Sequence, residues 1–180
     1  MANPYIYISK LDAAKRQLEL SIKLFFRNSE PVSIHTLSAA SHTLLTDLGK
    51  KQGLKSIVKI QIAELIKKEK RKEYLNKVKE AENYFKHADN DFKEQLRFVP
   101  ATTEFLIFDA CYMYQILTKE LIPILVLYKM WFSAKHPEIM TKTVEEKETI
   151  VKLISDANFN LEDRSKFLEY LPMVEKKLNP

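Results

Sequence analysis

Residues 8–27 read ISKLDAAKRQLELSIKLFFR, and this stretch sets the character of the chain. Its apolar side chains recur at steps of three and four, the spacing that places them on one face of an α-helix. They are Leu11, Ala14, Leu18, Ile22 and Phe25. The segment Asn28-Ser29-Glu30-Pro31 then interrupts the pattern. We therefore predict a helix from about Ile8 to Arg27 that buries one stripe in a core.

Helical patterns continue along the rest of the chain, and alternating β-branched runs are missing. Residues 54–86 form either one long helix or two, because the charged run at 67–72 is compatible with a turn or with an exposed helical stretch. A second helix is predicted from Pro31 to Leu48, with Gly49 as a left-handed cap. Two further helices are predicted from about Thr102 to Leu121 and, after Pro123, from Ile124 to Phe132. The last two are predicted from Thr143 to about Ser155 and onward from a cap at Asn160. The predicted fold is a single all-α domain over residues 1–180, a bundle of six to eight helices in which residues 141–180 could form a C-terminal helical appendage.

Composition excludes several functional classes. The 180 residues contain two glycines, Gly49 and Gly53, so a glycine-rich phosphate loop or dinucleotide fingerprint cannot be present. The one cysteine, Cys111, lies in an apolar run, which suits core packing in a reduced, cytoplasmic protein. No signal peptide is visible at the start. The most apolar run, Leu121 to Phe132, is too short to span a bilayer, so we expect no membrane partner.

The positive charge of the chain is concentrated in one segment. Residues 50–80 contain 11 Lys or Arg and 4 acidic residues, a local charge of +7, whereas the whole chain carries +5. The densest part consists of Lys67, Lys68, Lys70, Arg71 and Lys72. This segment is a candidate anion-binding surface for RNA or a nucleotide. The alternative is a solvated helix face without a ligand.

Two histidines share a stripe of the second predicted helix. His35 and His42 are seven residues apart, so they project within about 20° of each other. Their neighbours on that stripe include Ser38, Ala39 and Thr46, which are small. The stripe can face a pocket, a metal ion or a neighbouring helix. In the last case each imidazole would hydrogen-bond a carbonyl or carboxylate at the helix–helix contact.

A second polar stretch, residues 82–91, contains Asn83, His87, Asp89 and Asp91. Imidazole and carboxylate groups are ligands for zinc, iron or manganese. If this stretch approaches the second helix, His35, His42 and His87 with Asp89 or Asp91 could bind such a metal. The spacing matches no strong metal signature. The prediction is therefore geometric, namely that residues 35–42 and 82–91 meet in the fold.

One carboxylate lies in an apolar helix. Asp109 is flanked by Phe105–Phe108 and by Ala110–Tyr114, so it must find a partner or its pKa must rise. His35, His42, Tyr112 or a lysine could be that partner. We expect a buried structural pair more than a catalytic acid.

The sequence Glu82-Asn83-Tyr84-Phe85-Lys86-His87 resembles the signature of the HEPN superfamily (higher eukaryotes and prokaryotes nucleotide-binding domains). That signature has an arginine, then a polar residue, three further residues and a histidine. Asn83 and His87 match, and Glu82 stands where the arginine belongs. The segments around His35–His42 and Asn83–Asp91 are also similar to a group of bacterial all-α proteins of unassigned activity. The resemblance implies a small helical bundle that binds RNA or a nucleotide, and the glutamate implies that ribonuclease activity is lost.

Three functions follow from these features. The first is a HEPN-like bundle that binds an anionic partner, with a candidate polar site at His35, His42, Asn83, His87 and Asp109. The second is a metal-binding protein or metal-dependent enzyme. The third is an interaction module that forms a homodimer through an apolar helical face. Whether any reaction is catalysed is left open.

Overall fold

The computed structural model describes residues 5–88, 93–137, 161 and 163–178. Within these residues the chain has seven α-helices and no strand, which confirms the predicted all-α bundle of six to eight helices. The α-helices are α1 (Lys10–Phe26), α2 (Pro31–Lys50), α3 (Ile62–Leu65), α4 (Arg71–Lys86), α5 (Thr102–Thr118), α6 (Pro123–Lys135) and α7 (Leu171–Leu178). A π-helical turn at Ile57–Gln61 precedes α3, and 3₁₀ turns at Lys68–Lys70 and Arg164–Tyr170 precede α4 and α7. The predicted helix at 143–155 and the cap at Asn160 lie outside the described residues.

Helix α1 begins where its side chains can cap it. The Oγ atom of Ser9 accepts a hydrogen bond from the Asp12 N–H at 3.0 Å, and the Asp12 carboxylate accepts one from the Ser9 N–H at 3.2 Å. This capping box satisfies two amides that a helix start leaves unpaired, so the helix begins at Lys10 rather than at Ile8. The predicted stripe is buried from Ala14 to Phe25.

Helix α2 starts as predicted at Pro31, where the Glu30 carboxylate accepts hydrogen bonds from two backbone amides. It ends differently. Gly49 lies inside the helix, and an added Cβ there would approach the Met113 methyl to 3.0 Å. The residue in the left-handed region is Gly53, with φ of 73°. Gly49 therefore serves close packing and Gly53 serves the turn.

Residues 54–86 form separate helices. The chain becomes extended at Ile66, with ψ of 144°, and the Arg71 guanidinium donates hydrogen bonds to the carbonyls of Ile66 and Glu64. The charged run is therefore a helix break whose free carbonyls are capped by a side chain. The apolar residues of this region do not form a core stripe, because Leu65 is 87% exposed and Ile62 37%.

Helices α5 and α6 are separated by a left-handed residue and a proline. Helix α5 ends at Thr118, three residues before the predicted end at Leu121, because the next residue, Lys119, is left-handed with φ of 63°. Pro123 then occupies the first turn of α6, where a missing N–H has no cost. Cys111 is fully buried, which confirms its predicted place in the core, and Tyr128 and Trp131 are fully buried beside it in the same cluster.

One core joins the N-terminal and C-terminal parts of the chain. Phe26 of α1 stacks on Phe167 with ring centroids 5.8 Å apart, and Phe25 packs edge-on against Tyr128 and Trp131. Phe167 and Val174 belong to the same cluster as the buried residues of α1, α5 and α6. No helix among the described residues is long and apolar enough to cross a membrane.

Candidate functional site

Of the partners proposed for Asp109, namely His35, His42, Tyr112 or a lysine, the structure shows His42. The Nε2 atom of His42, on α2, lies 2.8 Å from Oδ2 of Asp109, on α5, and neither side chain has any exposed surface. The two residues are brought together because α2 and α5 pack against each other along the stripe of small residues beside His42. This contact confirms the expected buried pair.

The Asp109 carboxylate also binds the start of the π-helical turn. Ser56 Oγ donates to Oδ2 at 2.6 Å, and the backbone amides of Ile57 and Val58 each donate to the carboxylate at 3.1 Å. Burial alone would raise the pKa of Asp109, but the hydrogen bonds from His42, Ser56 and Val58 outweigh it and hold the pKa below its usual value. The carboxylate is therefore ionised, and it caps residues 57–61 from another helix.

This arrangement differs from a catalytic triad. The Asp109 carboxylate lies between the other two residues. The Ser56 hydroxyl donates its hydrogen bond to Asp109 at 2.6 Å, whereas Ser56 Oγ and His42 Nε2 are 3.3 Å apart. A nucleophilic serine needs the imidazole as its base. Nδ1 of His42 is buried and has no hydrogen-bond partner among the described residues. The cluster holds α2, α5 and the π-helical turn together.

His35 lies on the same side of α2 but belongs to an aromatic cluster. Its Nδ1 is 2.9 Å from the Thr103 hydroxyl, and its ring packs edge-on against Phe85 and Phe98. Burial lowers its pKa from the ordinary value of 6.5 to about 4. Near neutral pH this imidazole is therefore uncharged. It links α2 to α4 and to the start of α5.

Glu82, which stands at the arginine position of the HEPN signature, is bound within the fold. Its carboxylate accepts hydrogen bonds from Lys86 at 2.7 Å and Thr43 at 3.2 Å, and Lys59 lies 3.5 Å away. Burial would raise the pKa of Glu82, but the hydrogen bond and charge of Lys86 and the charge of Lys59 hold it below the usual value. Lys59 is mostly buried, and burial lowers its pKa. The cluster fastens α4 to α2.

Asn83 and His87 are exposed, one helical turn apart. The His87 N–H donates to the Asn83 carbonyl at 3.0 Å as α4 ends. The two polar stretches meet in the fold, through the contact of His35 with Phe85. His42 and His87 do not share an environment, because His42 is fully buried and His87 is exposed.

The predicted metal site is only partly within the described residues. Among those residues, no three side chains of His, Cys, Asp or Glu are grouped as a metal ion would require. His35, His42 and His87 therefore do not form a site on their own. Asp89 and Asp91 lie outside the described residues, so the full ligand set stays a prediction.

The lysine-rich run divides into bound and free cations. Lys70 pairs with Glu73, and the Arg71 guanidinium is used on backbone carbonyls. Lys67, Lys68 and Lys72 are exposed and make no hydrogen bond or ion pair with the part of the chain that the structure describes. Of the five predicted residues, these three are therefore the ones that no described residue pairs with.

Sequence reasoning missed Ser56 and Lys59. Ser56 caps the helical turn that follows it, since its Oγ accepts a hydrogen bond from the Lys59 N–H at 3.0 Å. A serine directly before an apolar helical run is a recognisable N-cap signal. The pairing of Lys59 with Glu82 has no local signal, because it depends on how α4 packs. Comparison of the chain with protein-family models, with curated proteins and with solved structures found no match.

Proposed function

We propose that the protein binds single-stranded RNA, or a related polyanion, on one face of α4 without cleaving it. The observation that carries this proposal is a stripe of five exposed residues, which we call the α4 polar face: Lys72, Asn76, Lys79, Asn83 and Lys86. At about 100° per residue, these side chains project within about 40° of Lys72. Three cations and two amides thus share one face.

The acidic residues of α4 lie off this face. Glu73, Glu80 and Glu82 project about 80–100° away from Lys72 by the same arithmetic. Lys72 and Lys79 have no hydrogen bond or ion pair to any described residue, whereas Lys86 pairs with Glu82. Two positive charges are therefore available to phosphates without the loss of an internal ion pair.

The length of the face suits an extended strand. Helix α4 has 16 residues, which corresponds to about 24 Å at 1.5 Å per residue. Lys67 and Lys68 extend the basic surface beyond its first turn. Amide side chains such as Asn76 and Asn83 can hydrogen-bond phosphates or base edges.

Binding without cleavage is favoured by the environment of the HEPN-like motif. The motif's arginine would stabilise phosphate charge, and here Glu82 occupies that position and is bound by Lys59, Lys86 and Thr43. Asn83 and His87 remain exposed to a ligand. The HEPN relationship itself is part of this proposal, as is the absence of ribonuclease activity.

Fluorescence anisotropy with a labelled oligouridine, measured across a range of salt concentrations, tests the proposal. The slope of log K against log salt is about −0.7 for each single-strand phosphate contact, so Lys72→Gln/Lys79→Gln should flatten it by about 1.4. Lys166→Gln/Lys176→Gln removes the same charge from exposed positions elsewhere and should leave the slope unchanged. Asn83→Ala should weaken binding at constant net charge, and the RNA should stay intact on a gel.

Absence of binding at low salt would contradict the proposal. Equal losses in both double lysine variants would also contradict it, because binding would then depend on net charge alone. No described feature tests the predicted homodimer, which stays a prediction.

A further inference from the structure

A cavity of about 200 Å³ lies where the first turns of α2 and α5 approach the end of α6 and the 3₁₀ turn at Arg164–Tyr170. Its walls combine aromatic, aliphatic and charged side chains, among them Phe25, Ile34, Glu104, Trp131, Lys135 and Arg164. None of these residues belongs to the α4 polar face. The cavity is therefore a separate candidate site, and it has no part in the function proposed above.

The negative charge in the wall is already compensated. Glu104 is 5% exposed, and its carboxylate accepts hydrogen bonds from Lys135 Nζ at 2.8 Å and from His136 Nε2 at 3.0 Å. Each carboxylate oxygen thus has a donor, so Glu104 needs no ligand. Lys135 forms an ion pair with Glu104, and its Nζ atom lies 5.0 Å from the centroid of the Trp131 ring.

Arg164 is a cation of the wall that is not paired with any described residue. Its guanidinium carbon lies 4.4 Å from the centroid of the Phe25 ring, and it makes no hydrogen bond or ion pair with any described residue. Stacking on an aromatic ring holds a guanidinium group by its face and leaves its N–H edge free for a carboxylate. A half-buried guanidinium with unused donors is a preorganised anion-binding group.

The wall also includes three buried apolar side chains. Phe25, Ile34 and Trp131 are buried, and the Trp131 Nε1–H donates to the Leu161 carbonyl at 3.2 Å, which fixes the indole. An engineered cavity of about 150 Å³ in another protein binds benzene, so 200 Å³ accommodates one ring or a branched aliphatic group together with a small polar group.

We propose that this cavity binds a small monocarboxylate with an aromatic or branched apolar body. The carboxylate pairs with Arg164, and the apolar body lies against Phe25 and Trp131. A monoanion is favoured over a phosphate monoester because, of the two cations in the described wall, Lys135 is paired with Glu104 and only Arg164 remains to balance a ligand's charge.

Trp131 provides a direct measurement, because it is the one tryptophan of the chain and lines the cavity. We would titrate the full chain with benzoate, with its neutral analogue benzamide and with phenyl phosphate, and follow indole fluorescence excited at wavelengths where the probes do not absorb. Benzoate should give a saturable change, and benzamide and phenyl phosphate should bind at least several-fold more weakly.

Variants of Arg164 test its role. Arg164→Gln should weaken benzoate binding by about tenfold to a hundredfold, the range expected for lost charge-assisted hydrogen bonds. Arg164→Lys should fall between, because lysine keeps the charge and loses the planar pair of donors. Lys166→Gln removes a charge from the same 3₁₀ turn, where Lys166 pairs with Asp163, and should bind like the wild type.

Three results would overturn the proposal. They are the absence of a saturable benzoate response at millimolar concentrations, an unchanged affinity in Arg164→Gln, and binding of benzamide or phenyl phosphate as tight as that of benzoate. Urea unfolding of each variant shows that it is folded. The oligouridine measurement is independent of these outcomes, since the variants expected to weaken RNA binding, at Lys72, Lys79 and Asn83, lie on α4.

Discussion

The Nε2 atom of His42 lies 2.8 Å from Oδ2 of Asp109, and the same oxygen accepts a hydrogen bond from Ser56 at 2.6 Å. Both members of the histidine–aspartate pair are wholly excluded from solvent. A buried carboxylate with four donors connects two long helices to a π-helical turn that has no buried side chain of its own. The position of residues 56–61 therefore depends on Asp109.

Substitution of Asp109 by asparagine should strongly destabilise the fold. Breaking a buried, hydrogen-bonded pair typically costs about 3–5 kcal/mol, and asparagine keeps one acceptor oxygen but places an NH2 donor against donors that the carboxylate accepted from. Urea denaturation of Asp109→Asn measures this loss. Asp47→Asn breaks an exposed pair with Lys50 and should cost less than about 1 kcal/mol. Similar losses in the two variants would contradict the assigned role of Asp109.

The buried His35 should make stability depend on pH. Its pKa falls from 6.5 to about 4 in the folded state, so between these values the unfolded chain binds more protons. Stability is therefore fully present above pH 6.5 and is lost as the pH falls toward 4, by up to about 3 kcal/mol. The lowered pKa of Asp109 acts at lower pH, since its ordinary value is 3.8.

Unfolding free energies at several pH values between 4 and 7 check this expectation. His35→Gln should flatten the slope in that window whatever its effect on absolute stability. His87→Gln removes an exposed imidazole and should keep the wild-type slope. A slope that survives in His35→Gln would assign the pH dependence to another group.

The contact between Lys59 and Glu82 should show measurable coupling. The two side chains are 10% and 11% exposed, and Thr43 bonds to both. A double-mutant cycle with Lys59→Met and Glu82→Gln should give a coupling energy of about 1–3 kcal/mol.

The exposed pair Lys77–Glu80 is the matched comparison on the same helix. Its cycle should give about 0.5 kcal/mol or less. If the Lys59–Glu82 coupling were equally small, Glu82 would not fasten α4 to the π-helical turn at Ile57–Gln61.

Replacement of Gly53 by alanine should destabilise the fold through its backbone conformation alone. Its φ of 73° costs an alanine about 1 kcal/mol, although no atom lies within 4 Å of an added Cβ. Gly53→Asn should lose less, because asparagine tolerates the left-handed region. Thermal unfolding distinguishes these variants, and a Gly53→Ala protein as stable as the wild type would contradict the assigned backbone role.

The local elements were largely predictable. The sequence correctly predicted the stripe from Leu11 to Phe25 and the break before Pro31. It also predicted a helix that starts at Pro31 and another that follows Pro123. These features were predictable because caps, prolines and periodicity act over a few residues. The predicted ends of α2 at Gly49 and of α5 at Leu121 were wrong. The close approach of Met113 to Gly49 and the left-handed conformation of Lys119 do not show in local sequence patterns.

The amino-acid sequence by itself determined the all-α class, the buried stripe of α1 and the requirement that Asp109 find a partner. Only the tertiary structure decided that this partner is His42, that Glu82 is bound by Lys59, and that Arg164 stacks on Phe25 beside a cavity. These contacts join residues 23 to 139 positions apart in the sequence. Periodicity specifies which face of a helix is buried, whereas pairing across helices depends on the angle and offset at which two buried faces pack.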